Sequence, residues 1–320
     1  MPRGPRSPVS ARHPRCHTPD MTTTARLGEV EIAYEVDGPD DGTPMLLIMG
    51  LGTQLVGWPA DVIQGLVDEG FRVVRFDNRD IGLSTRTEGP PPTRASVVKA
   101  FAHRRYARSD YDLSDMAGDA AALLDHLGIG AAHVVGVSMG GMIAQQLTID
   151  HPDRVLSLTS IMSNPGNQRL RSVSLRLLPT MAVSMTTPRP TDEEEAVRLG
   201  VEGFRLIAGP HYDTDEVTTR VRAAVRRSVH PLGAIRQLLA ILASPDRTAG
   251  LRRVRVPTLV IHGLEDPLVV PSGGIQTAKA VPGSRLLMFP DMGHDLPAPR
   301  RAEIVEAIAR NARRATRVEA

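Results

Sequence analysis

The chain has 320 residues, of which 41% are apolar and 3% aromatic, and its formal net charge is +2. That length accommodates one large core with an inserted segment. The near-balanced charge and the shortage of aromatic side chains argue against a nucleic-acid-binding protein. A single cysteine, Cys16, excludes an intrachain disulfide and a thiolate metal cluster.

Residues 1–22 contain arginines and prolines but no continuous apolar stretch, so they do not resemble a signal peptide. We expect this segment to be disordered, and Met21 offers an alternative start of the chain. No apolar run in the sequence approaches the ~20 residues of a membrane span. The sequence therefore predicts a cytoplasmic protein without stable membrane insertion.

Short β-type runs then alternate with helical patterns, which is typical of an α/β protein with a mainly parallel sheet covered by helices on both faces. The first run, 30–36, alternates with period two and predicts an antiparallel edge strand. The later strand candidates are apolar runs at 45–49, 72–76, 133–137, 156–161, 258–261 and 285–289. With their helices, these runs predict a core formed by residues 23–164 and 251–315.

Two core helices are predicted from apolar residues at helical spacing. The first covers 116–127, where Asp112 or Ser114 is suited to cap the N-terminus and Gly128 is suited to the C′ position. The second covers 303–313 and closes the chain.

The most specific motif lies at 136–140, which reads Gly-Val-Ser-Met-Gly between a β-type run and a helical pattern. A serine on a sharp strand-to-helix turn needs neighbours without side chains, because the turn brings backbones close together. A G-x-S-x-G string alone is weak evidence, and its context makes it specific. We therefore predict that Ser138 is a catalytic nucleophile.

The alternation of strands and helices stops between 165 and 250, where the pattern is almost wholly helical, at 170–185, 192–206, 214–228 and 232–242. Thr191 with Glu194 fits a capping box at the start of the second of these helices. A helical block inserted between parallel strands predicts a cap over their carboxyl ends, where such sheets bind ligands.

A serine nucleophile needs a base and an acid that orients the base. Asp266 follows the strand candidate 258–261, and His294 follows the last strand candidate, so both should lie at the same sheet edge as Ser138. Glu265 is the rival acid, and we prefer Asp266 because Pro267 fixes the turn after it. Asp295 adjoins the base in sequence, and a solvated surface position is its expected role.

Stabilising a tetrahedral oxyanion requires hydrogen-bond donors near the nucleophile. The backbone N–H of Met139 is one candidate, because it begins the helix after Ser138. The backbone N–H of Leu51 is the second, since Gly50 and Gly52 give the loop freedom to turn it inward. The alternative is that these glycines only form a turn.

The substrate pocket is harder to assign from sequence. Trp58 is either a pocket residue or a packing anchor, and Met162 and Met181 either line an apolar pocket or belong to the ordinary core. Residues 77–80 are expected to form a structural loop network, with substrate contact by Arg79 as the lesser alternative. Six further histidines lack metal-ligand spacing and are expected mostly at the surface or at helix ends: His103, His126, His133, His151, His211 and His230.

With these residues in view, the chain resembles the α/β-hydrolase superfamily, and within it the aclacinomycin methylesterase-type carboxylic ester hydrolases. The resemblance rests on 47–52, 57–59, 76–84, the 136–140 motif, His262-Gly263 with Asp266, and Gly293-His294. It covers most of residues 25–310, and the order of Ser138, Asp266 and His294 agrees with it. Met49 stands where many superfamily members carry histidine, and the methylesterase group shares this methionine.

The resemblance implies an α/β-hydrolase fold with an inserted helical cap, and a serine hydrolase that cleaves a small or medium apolar carboxylic ester through an acyl-enzyme. A methyl ester or lipid-like ester is the expected substrate, with no cofactor or metal, and the protein is expected as a monomer or homodimer. Lactonase, thioesterase, C–C hydrolase and cofactor-free perhydrolase activities use the same triad. A non-catalytic ligand-binding module is the alternative outside enzymes.

Overall fold

The computed structural model describes residues 22–167, 190 and 192–315. Its central sheet has eight strands within those ranges, in the spatial order β1-β2-β4-β3-β5-β6-β7-β8. The strands are β1 (Thr23–Leu27), β2 (Val30–Asp37), β3 (Thr43–Ile48), β4 (Phe71–Phe76), β5 (Ala132–Val137), β6 (Val155–Ile161), β7 (Thr258–Gly263) and β8 (Arg285–Phe289). Strands β4, β3, β5, β6, β7 and β8 pair in parallel, which confirms the predicted α/β class with a mainly parallel sheet.

The expectation of an edge position for the first predicted strand is wrong. β2 is antiparallel, as predicted, but it lies between β1 and β4. β1 was missed because its five residues, Thr-Thr-Ala-Arg-Leu, bury only Ala25 fully and therefore show little periodicity. Gly28, with φ of +65°, permits the tight turn that joins β1 to β2.

Ten α-helices lie in the described ranges. They are α1 (Ala60–Asp68), α2 (Arg94–Ala102), α3 (Leu113–His126), α4 (Met139–Asp150), α5 (Glu193–Ile207), α6 (Thr214–Arg227), α7 (Pro231–Ala243), α8 (Thr248–Leu251), α9 (Ser272–Ala280) and α10 (Ala298–Ala312).

The two faces of the sheet bury separate apolar cores, because successive side chains of a strand point to opposite faces. Leu46 and Ile48 of β3 pack with α3 and α4 on one face. Met45 and Leu47 of the same strand pack with α1 and α10 on the other. Because helices cover both faces of the sheet, the loops that follow the parallel strands lie together at the carboxyl edge.

The ends of α3 agree with the sequence. Asp112, one of the two predicted caps, accepts hydrogen bonds from Ser114 N and Asp115 N, and the Asp115 side chain completes a capping box. Gly128, with φ of +67°, follows the C-cap residue Leu127.

Helices α5, α6 and α7, hereafter the helical region, correspond to three of the four helices predicted between 165 and 250. The predicted helix over 170–185 lies outside the described residues. The N-cap of α5 is Asp192, which accepts from Glu195 N, so the predicted start at Thr191 was one residue early. Val197, Val217 and Val221 form a small apolar cluster between α5 and α6.

His133 does not occupy the surface or helix-end position expected for it. It is buried in β5, where Nδ1 lies 2.8 Å from the Ser157 hydroxyl and the ring meets Phe71 edge to face. Burial lowers the pKa of His133 from 6.5 to about 4, because a charged imidazole would lose its hydration. His133 is buried because it lies in a central parallel strand, which is covered on both faces, and every residue of β5 is buried.

Across the described ranges, no helix combines the length and apolar character that crossing a bilayer requires.

Candidate active site

Ser138 lies on a strained turn between β5 and α4. Its φ of 56° and ψ of −119° are unfavourable for a residue with a side chain. Backbone bonds hold it there, because Ser138 N donates to Ile161 O at 2.9 Å and Met142 N donates to Ser138 O at 3.1 Å. Although Ser138 is the N-cap of α4, its hydroxyl makes no capping bond and is therefore available for another partner.

The glycines around Ser138 are required by close backbone packing. A Cβ on Gly136 would lie 2.1 Å from Gly140 O, and one on Gly140 would lie 2.0 Å from Ile48 O. Both distances are far below van der Waals contact with backbone atoms that cannot move aside. The G-x-S-x-G spacing is thus set by the packing of this turn against β3.

His294 bridges Ser138 and Asp266. Its Nε2 lies 2.9 Å from Ser138 Oγ, and its Nδ1 lies 2.7 Å from Asp266 Oδ2. The imidazole is buried, with 8% of the residue exposed. The structure thus brings the three predicted catalytic side chains together at the carboxyl ends of β5, β7 and β8.

Asp266 is held as a carboxylate by its surroundings. Its Oδ1 accepts from Leu268 N and Val269 N, both at 2.9 Å, and His262 Nε2 lies 3.4 Å from Oδ2. Burial alone would raise the pKa of Asp266, but the charge and hydrogen bond of His294 together with His262 lower it to about 2. The rival Glu265 is exposed, so its surroundings do not resemble those of the buried acid.

The loop that carries His294 is attached to the segment after α5. His294 N donates to Ile207 O at 2.8 Å. Asp295 Oδ1 accepts from Gly293 N at 3.0 Å and from Gly209 N at 3.3 Å. The expected solvated role of Asp295 is therefore wrong, and burial raises the pKa of its carboxyl despite these two N–H donors.

The two predicted oxyanion donors belong to segments that adjoin Ser138. Met139 N is in the first turn of α4, where backbone N–H groups have no intrahelical partner. Gly50 packs against Ser138, since a Cβ on Gly50 would lie 3.2 Å from Ser138 Cβ. Within the described residues Leu51 N makes no hydrogen bond, whereas Gly52 N next to it donates to Gln237 Oε1 at 2.9 Å.

Gln237 is a functional candidate that sequence reasoning missed. It is fully buried in α7, accepts from Gly52 N and donates through Nε2 to Arg79 O at 2.8 Å. It therefore fixes the loop that carries Leu51. The available signal was the polar pair Arg236-Gln237 within the otherwise apolar stretch of α7.

A cavity of about 600 Å³ opens above Ser138. Its wall includes Met49, Leu51, Met162 and His294, together with residues of α5 and α6. Met162 directly follows β6 with φ of 42°, and its N donates to Ile261 O at 2.8 Å. Met162 lies at the cavity wall, but it is 1% exposed and belongs to an apolar core cluster, so the structure does not decide between its two predicted roles. Met181 lies outside the described residues.

Trp58 does not belong to the described part of the cavity wall. It is 3% exposed and packs in the apolar core beneath β3, with Met49 and Val62 in the same cluster. Of its two predicted roles, the packing anchor describes its position.

The loop after β4 forms the expected polar network. Asp77 is fully buried, accepts from Leu55 N at 2.7 Å and from Leu83 N at 3.0 Å, and pairs with Arg227 at the end of α6. Arg79 pairs with Asp119 through two bonds of 2.6 Å instead of facing the cavity. This network links the helical region to the sheet.

Among the described residues, no group of three or more His, Cys, Asp or Glu side chains is arranged to hold a metal ion.

Known proteins share this architecture. Residues 43–298 match the family model described as the alpha/beta hydrolase fold. The rhodomycin D methylesterase DnrP of Streptomyces peucetius is 31% identical over 307 residues, covering 90% of this chain and 97% of that protein.

Two solved structures extend the likeness. A thermophilic esterase from Thermogutta terrifontis is 26% identical, with a TM-score of 0.62 and coverage of 92% of this chain and 97% of the other. An enol-lactonase from Burkholderia xenovorans LB400 is 22% identical, with a TM-score of 0.67 and coverage of 92% and 99%, which shows likeness of fold.

Proposed function

The chain belongs to the alpha/beta hydrolase fold family, and on that premise we propose that it hydrolyses carboxylic esters with Ser138 as nucleophile, His294 as base and Asp266 as the orienting acid. The observation that carries the proposal is the continuous relay of 2.9 Å from Ser138 Oγ to His294 and 2.7 Å from His294 to Asp266. This relay opens into the cavity. A methylesterase and an esterase among its relatives support the same reaction class.

In the first step His294 Nε2 takes the hydroxyl proton of Ser138 as Oγ attacks the ester carbonyl. Asp266, ionised because of its low pKa, stabilises the imidazolium that forms. The negative charge on the carbonyl oxygen is met by Leu51 N–H and Met139 N–H, and the N-terminus of α4 adds a favourable dipole.

In the second step the C–O bond to the alcohol breaks, and His294 gives its proton to the departing alkoxide. The acyl group remains bound to Ser138. Water then enters, His294 removes its proton, and the resulting hydroxide attacks the acyl carbon. Collapse of this intermediate returns the proton to Ser138 Oγ and releases the carboxylic acid.

The cavity supports a small or medium apolar ester as substrate. Its volume of about 600 Å³ lies within the range of sites for drug-sized ligands, and most of the described wall is apolar. The name of the DnrP relative favours a methyl ester, whose small alcohol would leave most of the cavity for the acyl group.

Hydrolysis of p-nitrophenyl esters of graded chain length tests this function. Ser138→Ala should reduce kcat by at least about 10³-fold, because catalysis without the nucleophile rests on the remaining binding groups alone. A fluorophosphonate should label wild-type protein at Ser138. Ser163→Ala is the matched control, since this buried hydroxyl near the turn has no hydrogen-bond partner among the described residues and its loss should leave the rate unchanged.

Survival of activity in Ser138→Ala would contradict the nucleophile assignment. Parallel thioesters, lactones and C–C substrates separate the related activities of this fold. Absence of turnover on every substrate, with tight binding of a small molecule, would favour a non-catalytic ligand-binding module instead.

A further inference from the structure

Arg220 is a cationic side chain in the wall of an otherwise largely apolar cavity. It lies on α6, the helix above the proposed active site, and lines the same cavity as Ser138 and His294. Its side chain is 29% exposed, and that exposure includes the cavity. Placing a guanidinium in such a wall carries a desolvation cost, which calls for hydrogen-bond partners.

The hydrogen-bonding capacity of Arg220 is mostly unused. A guanidinium has five N–H donors. Nη1 donates to Gly57 O at 3.1 Å, but Nε is buried without a hydrogen bond and lies 3.5 Å from Glu216 Oε1. Nη2 makes no hydrogen bond to any described residue. A ligand atom that accepts from the outer guanidinium nitrogen would therefore meet a donor that the described protein leaves unpaired.

The neighbouring Arg301 lines the same cavity, but all three of its guanidinium nitrogens have hydrogen-bond partners. Its Nε donates to Leu296 O at 2.8 Å, its Nη1 contacts Asp61, and its Nη2 donates to both carboxylate oxygens of Glu216 at 2.6 and 2.7 Å. Arg301 thus engages Glu216, the closest carboxylate to Arg220. Of the two arginines, Arg220 is therefore the one with N–H donors available to a ligand.

The charges around Arg220 decide which acceptor suits it. Arg220 and Arg301 carry two positive charges, and Glu216 and Asp61 carry two negative charges, so this cluster is already balanced. Asp295 lines the same cavity and adds a further carboxyl beside Arg220. An anionic ligand would meet these carboxylates, whereas a neutral oxygen gains a charge-assisted hydrogen bond without that repulsion.

We infer that Arg220 binds a neutral oxygen acceptor, such as a ketone or ether oxygen, on the acyl chain of the substrate at a distance from the ester carbonyl. The substrate is then an oxygen-substituted apolar ester rather than a plain alkyl ester. The inference rests on the proposed ester hydrolysis, with the carbonyl at Ser138. A hydrogen bond to a charged donor in such a site changes kcat/KM by about 10- to 100-fold.

The test compares p-nitrophenyl octanoate with its 5-oxo, 6-oxo and 7-oxo derivatives, which have the same chain length. Wild type should prefer at least one oxo ester about 10- to 100-fold in kcat/KM. Arg220→Met should remove that preference by lowering kcat/KM on the oxo esters about 10- to 100-fold more than on the octanoate, and fluorophosphonate labelling of Ser138 shows that the variant is folded. Arg226→Met is the matched control, because this exposed arginine of α6 pairs with Glu193 away from the cavity, and it should keep the preference.

Three results would overturn the inference. Equal losses on plain and oxo esters in Arg220→Met would mean that Arg220 only supports the structure. A preference for the half-ester of octanedioic acid over every oxo ester would mean that the acceptor is anionic. Failure of the proposed function is distinguishable, because then octanoate itself would not be hydrolysed and the fluorophosphonate would not label Ser138. Hydrolysis of octanoate without a preference for any oxo ester would refute only the inference about Arg220. The proposed ester hydrolysis would still stand.

Discussion

Gly293, next to the proposed base, packs directly against Gly209 in the segment that follows α5. A Cβ on Gly293 would lie 2.3 Å from Gly209 N, and a Cβ on Gly209 would lie 2.5 Å from Gly293 N. The adjoining bond from His294 N to Ile207 O, at 2.8 Å, ties the same two segments together. The position of the imidazole therefore depends on the helical region as well as on the sheet.

Gly293→Ala should lower kcat by about 10- to 100-fold, because the added methyl group must separate the two segments and shift His294 relative to Ser138. A misplacement of about 1 Å at a reacting group has an effect of this size. The measurement is the kcat of p-nitrophenyl ester hydrolysis, with circular dichroism to verify that the variant is folded.

Gly203→Ala is the control for this substitution. Gly203 lies in α5, four residues before Ile207, and a Cβ there would meet no heavy atom within 4 Å. Alanine should leave kcat unchanged and stabilise the helix slightly. If Gly293→Ala hydrolyses the ester at the wild-type rate, the contact between the glycines does not position His294.

Asp266→Asn should reduce kcat by about 10³- to 10⁴-fold, because an amide can hold the imidazole in the wrong tautomer and cannot stabilise the imidazolium. Glu265→Gln changes the neighbouring carboxylate, which is exposed, and should leave kcat within about twofold. Both variants are assayed at neutral pH on the same ester. A larger loss in Glu265→Gln would transfer the acid role to Glu265.

The parts of the site that the sequence predicted are those set by local backbone geometry. The G-x-S-x-G spacing exists because backbone atoms pack too closely against Gly136 and Gly140 to admit a side chain. Asp266 and His294 follow parallel strands, whose carboxyl ends must share one edge of the sheet. Parallel pairing brings them together once the strands are recognised.

The parts that it missed depend on contacts between distant segments. Asp295 and Gly209 are 86 residues apart, and Gly52 and Gln237 are 185 apart. A local sequence pattern does not show which loop forms a hydrogen bond with a given buried carboxylate or amide. The strand β1 was missed for a different reason, since a short exposed strand gains its conformation from pairing with β2 rather than from its own periodicity.

Arg227→Met should destabilise the protein by about 3–5 kcal/mol, because it leaves the carboxylate of Asp77 buried without its cation. Asp77 is fully buried, and burial raises its pKa although Arg227 opposes this effect. Urea unfolding at pH 7 measures the change. Arg226→Met removes an exposed ion pair from the same helix and should cost less than about 1 kcal/mol.

The double variant Asp77→Asn with Arg227→Met separates charge from packing. An amide carries no buried charge, and its single oxygen can accept from Leu55 N or from Leu83 N but not from both, so part of the lost stability should return. Equal stability of the single and double variants would show that Arg227 acts through its packing.

The buried His133 should make the free energy of unfolding fall as the pH is lowered. Its pKa is about 4 in the folded state and 6.5 when unfolded, so between these values the unfolded chain binds more protons and stability rises with pH. The contribution is complete above pH 6.5 and is lost progressively down to about pH 4. The difference in pKa corresponds to about 3 kcal/mol.

Replacing His133 with Gln should flatten this dependence, because the amide can still bond the Ser157 hydroxyl but does not titrate. Urea unfolding at several values between pH 4.5 and 7.5 gives the slope, and the slope should decrease in His133→Gln relative to wild type. His151→Gln, a half-buried histidine that follows α4, is the control. An unchanged slope in His133→Gln would mean that other groups cause the acid sensitivity, and that protonation of His133 is accommodated within the folded sheet.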